Sequence, residues 1–459
     1  MTQAIQKLLV ANRGEIAVRI IHAANGLGIP TVLACSEADV DSMAARLADE
    51  IHVLGPARAD KSYLNIPLML DALKVTGANA VHPGYGFLSE NAAFADAVNE
   101  AGAIFVGPSS DTIRRMGDKA EARRTAKEAG VPVVPGTEGE VHSLEQAIEA
   151  AAEVGFPLLI KASAGGGGRG IRLAESMEQL AEEFPRAQRE AQAAFGNGGL
   201  YLERFIRKAR HIEVQVLGDG KRAVHLFERE CSLQRRRQKV LEEAPSPVLS
   251  VEQRESLCGS AVRLTESLGY KGAGTLEYLY DDESREFFFI EMNTRIQVEH
   301  PVTELVTGVD LVQAMLRVAG GEPLGLMQSD IKLNGAAIQM RVNAEDPGRD
   351  FFPCPGTVVE LQWPEGEGVR VDSHLFKGYK VPPYYDSLLA KVITYGSDRE
   401  EALALARQAV SATKLEGMAT TLSLHALLLN QPWVARADFN TGTLEQWLNS
   451  GAMKEVGDA

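Results

Sequence analysis

The chain has little that could staple it covalently or anchor it in a bilayer. Only four cysteines occur in 459 residues, Cys35, Cys231, Cys258 and Cys354, far apart and with no CxxC pair. Nine histidines are scattered without an HExxH segment, which together with the isolated cysteines argues against a zinc site. No apolar run approaches the ~18 residues of a membrane-spanning helix. The N-terminal MTQAIQKLLVANRGE has no apolar signal core followed by a small-residue cleavage site. These absences lead us to expect a reduced, cytoplasmic protein that makes no use of a membrane. Basic charge is also in deficit: 47 Lys and Arg against 62 Asp and Glu leave a net charge of −15, which argues against nonspecific nucleic-acid binding. An anionic substrate must then be held by locally concentrated positive groups. No internal repeat or low-complexity tract is present. What is there is a globular composition, 45% hydrophobic and 24% charged, over a length that suggests about three domains.

The first ~115 residues alternate strand and helix patterns, as in an open parallel sheet of Rossmann-like type. Residues 7–11 (KLLVA), 30–35, 80–82 and 103–106 read as four strands, and 14–24 as a helix. The first turn, Asn12-Arg13-Gly14-Glu15, lacks the GxGxxG of a dinucleotide site. The glycine-rich segment from His82 to Glu90, HPGYGFLSE, is a strand-end loop of the kind that meets ligands in such sheets. A tight turn around a core phenylalanine would read the same way.

Beyond the connector VPVVPG (131–136), a polar helix near 143–154 leads to the strand 156–162, then SAGGGGRG (163–170) and a further strand, 171–173. Gly165, Gly167 and Gly170 satisfy GxGxxG literally, yet a strand follows where a dinucleotide loop opens a helix, and no Lys-Ser/Thr completes a Walker motif. A hairpin tip of glycines can present bare N–H groups to phosphate oxygens, with Lys161 on the strand leading into it. A flexible exposed hairpin is the plain alternative.

Strands at 200–203, 211–216, 223–227 and 272–279 announce a second α/β body, with a helix at 253–267. The run QRRRQK (234–239) packs four cations into five residues and reads as local anion capture, against the usual solvated basic face. The densest stretch is FFFIEMNTRIQVEHPVTE (287–304). Its first four residues suggest a fully buried strand. If the extended backbone continues, Glu291, Asn293, Arg295, Gln297 and Glu299 project to one side. Buried unpaired charge costs several kcal/mol, so these groups need a metal, an anion or one another. A structural ion-pair network is one reading; the density of the run points to a catalytic floor. Glu277 and Glu291, on neighbouring strands, could share a Mg²⁺ ion completed by nucleotide phosphates. Strands at 335–343, 368–372 and 390–394, with a helix from 399, form a closing region.

The motifs HPGYGFLSEN, MGDK, KASAGGGGRG, RHIEVQV, QRRRQK, EMNTRIQVEHPVTE and RVNAEDP, running through the whole chain, resemble those of the biotin carboxylases in the ATP-grasp superfamily. The resemblance implies mixed α/β and α+β architecture. An N-terminal parallel-sheet domain covers 1–117 and an ATP-grasp domain 118–331, with a mobile glycine-rich lid at 133–205. A C-terminal α+β domain covers 332–446, followed by a tail, 447–459. It implies an ATP-dependent ligase in which ATP and bicarbonate give carboxyphosphate, which carboxylates biotin. In its terms Lys119, Lys161 and the hairpin with Gly165, Gly166, Gly167 and Gly168 hold phosphates. Glu203, Arg204, Phe205 and Ile206 form the adenine hinge, with His211, Gln234 and Arg237 close to the nucleotide. Glu277, Glu291 and Asn293 bind Mg²⁺, with Mn²⁺ as an alternative. Lys239, Arg295, Gln297 and Val298 surround bicarbonate, with Glu299 as general base. Arg341 stabilises the biotin enolate, and Tyr85 packs near the biotin ring.

Three positions depart from the family pattern. Arg237 stands where a histidine is usual and Arg204 where lysine is common. His22 and Gly26 occupy the places of an acid–base pair used across the family's dimer interface, so a homodimer is left open. Ala452-Met453-Lys454 imitates a biotinylation motif, but that lysine needs a dedicated domain of its own, so it reads as an exposed tail. Biotin is therefore expected on a separate biotin carboxyl carrier protein, with separate carboxyltransferase subunits. The competing readings are another ATP-grasp carboxylate ligase, which the TRIQVEHP segment and Arg341 oppose, and an inactive nucleotide-binding homologue, which the full set of matched residues opposes.

Overall fold

The computed structural model describes residues 4–162, 171–195 and 197–453. The glycines at 165–168 and Lys454 lie outside them. The chain divides into two compact units, one of Met1–Val131, Arg210–Tyr278 and Glu291–Ala459, the other of Pro132–Ala209 and Leu279–Ile290. No described helix is long and apolar enough to cross a membrane.

The first unit opens with a five-stranded parallel sheet in the spatial order Glu50–Gly55, Thr31–Ser36, Leu8–Val10, Ala80–His82, Ile104–Phe105. Leu8, Leu9 and Val10 at its centre are fully buried, as expected of a strand covered on both faces. The helix Gly14–Gly26 covers one face through Ile16, Ala17, Ile20, Ile21 and Ala24, a 3.6-residue stripe. Helices Ile66–Thr76 and Ala92–Glu100 cover the other. The edge strand Glu50–Gly55 is a fifth, where the sequence suggested four. Glu50, Ile51 and Val53 on it are exposed, so it shows neither a buried run nor an alternation that a pattern could reveal.

An eight-stranded sheet follows, nearly all of it in this unit; its residues 279–281 and 287–290 count with the second. Its order is Phe287–Asn293, Lys271–Asp281, Ala209–Asp219, Ala223–Arg235, Gln238–Ala244, Ala336–Asn343, Leu388–Gly396, Val369–Ser373. The last three strands belong to the closing region and extend this same sheet antiparallel, Leu241 facing Met340 and Arg341 facing Lys391. Helices Arg399–Ala412 and Leu422–Leu428 cover them over a core that includes Ile338, Val392, Ala406 and Leu428. The second unit holds a three-stranded antiparallel sheet, with Leu158–Ala162 between Ile171–Ala174 and Leu200–Arg204. Helices Leu144–Val154 and Met177–Phe195 pack on it through Ala147, Ala151, Leu180 and Phe184.

Two expectations are corrected here. The strand after Phe287 is not fully buried, since Ile290 is 39% exposed. Its extended backbone also stops at Asn293. Residues beyond it turn, and Glu299 takes the N-cap position, φ −84° and ψ 7°, of the helix His300–Thr307. Strict alternation from Glu291 to Glu299 therefore does not hold, and the tertiary fold brings those side chains together by another route.

Candidate active site

Five neighbouring strands of the eight-stranded sheet, from Lys271–Asp281 to Ala336–Asn343, each place a charged residue in one bonded band. Lys239 is its hub: its Nζ lies 2.5 Å from Glu213, 2.6 Å from Glu299 and 3.0 Å from Glu277. Burial opposes the ammonium charge, but the three carboxylates outweigh it and push the Lys239 pKa well up. Glu277 also lies 3.0 Å from the His211 ring and accepts from Asn293 and Gln297 at 2.9 Å each. Burial would raise its carboxyl, yet Lys239 and His211 outweigh that and hold it below the usual range. His211 is itself 2.5 Å from the amide nitrogen of Gln234, so these two expected neighbours do meet.

Glu299 ties the hub to Arg341. One of its oxygens accepts from Lys239, and the other from Arg341 Nη2 at 3.0 Å. Burial again works against its charge, but Lys239, Arg341 and Arg229 hold the carboxyl well below its usual range. Arg341 lines a cavity of about 360 Å³ together with Tyr85, Gln238, Arg295, Val298 and Tyr385. Glycines at 84 and 86, at φ +63° and +68°, shape the loop that carries Tyr85. The Tyr85 hydroxyl donates to buried Glu15, and burial first, then the Glu15 charge, raises the phenol pKa well above normal. Glu15 lies 2.9 Å from Lys391, a fully buried ammonium that also donates to the Val298 carbonyl at 3.2 Å. Arg295 folds onto Glu90 at 2.9 Å and onto the Asn293 side-chain oxygen at 2.9 Å.

Sequence reasoning passed over the groups beneath this surface. Arg229 is completely buried and donates to Glu213 at 2.6 Å, Gln215 at 2.7 Å, Gln297 at 2.8 Å, Thr303 at 2.9 Å and Thr275 at 3.2 Å. It thereby fixes Glu213, the acid behind Lys239, and Gln297 from the turning segment. Glu242, Glu15, Glu90 and Lys391 were missed as well. One signal was available: Glu213 and Gln215 alternate with Ile212, Val214 and Val216 along one strand. Such alternation ordinarily marks a solvent face, but here all five residues are buried.

Among the described residues, Glu277 and Glu291 offer a place for a divalent cation. Glu291 carries no hydrogen bond or ion pair to a described residue. Its carboxyl is raised by burial first and then by the neighbouring charge of Glu277. Glu277 and Glu291 sit on adjacent strands with Asn293 alongside. Oxygen ligands of this kind suit a hard cation that keeps water and phosphate in its shell. His211, Glu213 and Glu277 also bring three ligand atoms within 4.8 Å of one another, but Lys239 already answers that charge. Lys119, at the start of the helix Lys119–Glu128, is near enough to Glu291 to oppose the rise of its carboxyl.

The basic run divides. Arg235 and Arg236 pair with Asp350 at 2.6 and 3.0 Å, and Arg235 lies over the Phe351 ring at 3.9 Å. Arg236 and Arg237 form the two-residue tip of a hairpin, at φ +48° and +67°, and Arg237 is exposed. Of the four cations only Lys239 enters the buried band; Arg235 and Arg236 are taken by Asp350, so the expected anion capture by the whole run is corrected for those two. Lys161, Glu203, Arg204, Phe205 and Ile206 belong to the second unit, where Lys161 pairs with Glu203. His22 and Gly26 are exposed on the first helix.

Residues 4–113 match the model of the biotin carboxylase N-terminal domain, 118–327 that of the carbamoyl-phosphate synthase L chain ATP binding domain, and 339–446 that of the biotin carboxylase C-terminal domain. Biotin carboxylase 1 of Bacillus subtilis is 50% identical over 444 residues, covering 96% of this chain and 99% of that protein. The biotin carboxylase subunit of a pyruvate carboxylase superimposes with a TM-score of 0.90 at 46% identity, over 98% of this chain and 99% of its own. The biotin carboxylase domain dimer of Hydrogenobacter thermophilus 2-oxoglutarate carboxylase, solved with MgADP, ADP and bicarbonate, does so at 0.87 with 45% identity, over the same shares.

Proposed function

The chain belongs to the biotin carboxylase family of ATP-grasp enzymes, and from that premise we propose how its residues divide the reaction. The enzyme is an ATP-dependent ligase that carboxylates biotin with bicarbonate through carboxyphosphate, using ATP and Mg²⁺. The observation that carries the residue assignment is Glu299, buried and held between Lys239 and Arg341, with Arg341 lining the cavity beside Tyr85, Arg295 and Val298.

In this reading Lys239, Arg295, Gln297 and Val298 hold bicarbonate, and Glu299 takes its proton as it attacks the γ-phosphate. General-base help of this kind contributes about 10²–10⁴-fold. Glu299 is ionised throughout the neutral range because its two cations stabilise the charge, and Arg229 keeps the acid behind Lys239 from moving. Arg341 then holds the ureido oxygen of biotin as negative charge develops there, with Tyr85 against the ring. Lys119, Lys161 and the 165–168 glycines take phosphates. The segment Glu203 to Ile206 takes adenine, and His211, Gln234 and Arg237 lie towards the ribose. Glu277, Glu291 and Asn293 would hold Mg²⁺, which supplies charge neutralisation at the phosphate oxygens. Carboxyphosphate hydrolyses readily, so the site must exclude water while it exists.

The domain boundaries follow the same reading: 1–117, 118–331 with a lid at 133–205, and 332–446. Biotin arrives on a biotin carboxyl carrier protein, and a carboxyltransferase consumes the product. Each residue of the site serves ATP, bicarbonate or biotin, so the choice of final acceptor rests with that transferase. A homodimer and a cytoplasmic location complete the proposal. With His22 and Gly26 on the first helix, such a dimer would not rest on the usual acid–base pair. The test is ATP cleavage by the purified protein: it should need Mg²⁺ and bicarbonate and accelerate with free biotin. ATP cleavage indifferent to biotin over a wide concentration range would overturn the assignment.

A further inference from the structure

Arg341 is gripped by two carboxylates, and the scheme above uses only one of them. Its Nη2 donates to Glu299 at 3.0 Å, while its Nε donates to Glu242 at 2.5 Å. Glu242 is fully buried on the neighbouring strand, and its other oxygen accepts from Gln339 at 3.2 Å. The backbone origin of Arg341 is pinned too: its carbonyl accepts from the Thr421 hydroxyl at 2.8 Å and lies 2.7 Å from His425 Nε2. A guanidinium has five N–H groups. Two are taken by Glu242 and Glu299, and the rest bond no described residue, on a side chain that lines the cavity.

The two carboxylates differ in what the reaction does to them. Glu299 becomes neutral when it takes the bicarbonate proton, and its hold on Arg341 then loses its charge. Glu242 forms no ion pair with Lys239, whose pairs are Glu213, Glu277 and Glu299, and bonds Arg341 through a separate N–H, so it keeps its grip through that step. If Glu242 were absent, Arg341 could turn its remaining N–H groups away from the cavity. We propose that Glu242 is a positioning residue for biotin carboxylation, anchoring Arg341 by Nε so that its free N–H groups stay available to the ureido oxygen while Glu299 carries the proton. This rests on the roles assigned above to Arg341 and Glu299.

A merely structural ion pair would need only the charge of Glu242; a positioning anchor needs its reach first and its charge second. Glu242→Asp keeps the charge and draws Nε back by about 1 Å, a displacement that can cost about 10²-fold. Glu242→Gln keeps the reach and an acceptor oxygen but loses the charge. Its new NH₂ has a ready partner, because the side-chain oxygen of Gln339 is buried without a hydrogen bond and the amide can turn to present it. The assay compares biotin-dependent carboxylation with biotin-independent, bicarbonate-dependent ATP cleavage in the full-length protein, with thermal melts alongside.

We expect Glu242→Asp to lower kcat/KM for biotin about 10²-fold and Glu242→Gln about tenfold, with ATP cleavage without biotin near wild type in both. Full biotin-dependent activity in Glu242→Asp, or a parallel fall of both activities, overturns the proposal. If the aspartate variant fails to fold, Glu242→Gln decides on the same two activities, and an unchanged biotin-dependent rate there overturns it equally. Arg341→Gln is measured beside them. Retained biotin carboxylation in that variant shows that the assignment of Arg341 is wrong and the proposal falls with it. Its loss there, with Glu242→Asp unaffected, refutes the role of Glu242 alone.

Discussion

Glu299→Gln separates a base from a bracket. The amide keeps the size and one acceptor of the carboxylate but cannot take a proton. In the wild-type protein the two Glu299 oxygens accept from Lys239 at 2.6 Å and from Arg341 at 3.0 Å. The substitution strands neither cation. Lys239 keeps Glu213 at 2.5 Å and Glu277 at 3.0 Å, and Arg341 keeps Glu242 at 2.5 Å. The stability cost is therefore that of weakened charge-assisted bonds, about 1–3 kcal/mol, and not the ~3–5 kcal/mol of an unpaired buried charge. A lost general base slows the step about 10²–10⁴-fold, which is about 2.7–5.4 kcal/mol of barrier. The expected result is that bicarbonate-dependent ATP cleavage and biotin carboxylation fall together by that factor, while nucleotide binding stays near wild type. Turnover close to wild type at high bicarbonate, with only bicarbonate affinity weakened, would refute the assignment and make Glu299 a positioning residue. Acid unfolding gives an independent check. The Glu299 carboxyl is depressed in the folded state. It therefore contributes stability above its unfolded pKa of about 4.3, and that contribution is lost as pH falls towards the folded value. The stability gap between wild type and Glu299→Gln should accordingly narrow below about pH 4.3.

Glu291→Gln should reduce turnover about 10²–10³-fold with ATP affinity near wild type. Because the Glu291 carboxyl is raised and unpartnered, its melting temperature should not fall; near-normal turnover at saturating Mg²⁺ would speak against the metal assignment. Arg229→Met removes a cation that bonds five side chains and should destabilise by about 3–5 kcal/mol in urea unfolding; a shift below ~1 kcal/mol would show that the frame is dispensable. Lys391→Met strands Glu15 and weakens the hold on Val298, so it should also destabilise by about 3–5 kcal/mol. Adding Glu15→Gln should recover part of that loss, and strict additivity in the double-mutant cycle would contradict the pairing.

The amino-acid sequence by itself determined the elements with strong local signals. Leu8–Val10 and Thr31–Ser36 are apolar runs of strand length between turns, and Gly14–Gly26 carries a helical stripe, so both types follow from spacing alone. It also marked Glu277, Glu291, Asn293, Arg295, Gln297 and Glu299 as too polar for their surroundings, and its motifs named the family. What it could not decide was how those groups meet. Alternation carried the reading from Glu291 to Asn293, where the strand ends; after that the backbone turns, and Glu299 reaches the site as a helix cap. Arg229, Glu242 and Lys391 lay hidden for a related reason. Arg229 stands in Glu228-Arg229-Glu230 and Glu242 beside Glu243, the local pattern of charges on a face in water, and Lys391 is a lone charge within an apolar strand. Only strands distant in the chain, Ala223–Arg235, Gln238–Ala244, Ala336–Asn343 and Leu388–Gly396 laid side by side, bury that face and force its charges to satisfy one another. Pairing at separations such as the 99 residues between Glu242 and Arg341 leaves no mark in a local window, because the energy that selects it, the cost of an unpaired buried charge, exists only once the sheet has formed.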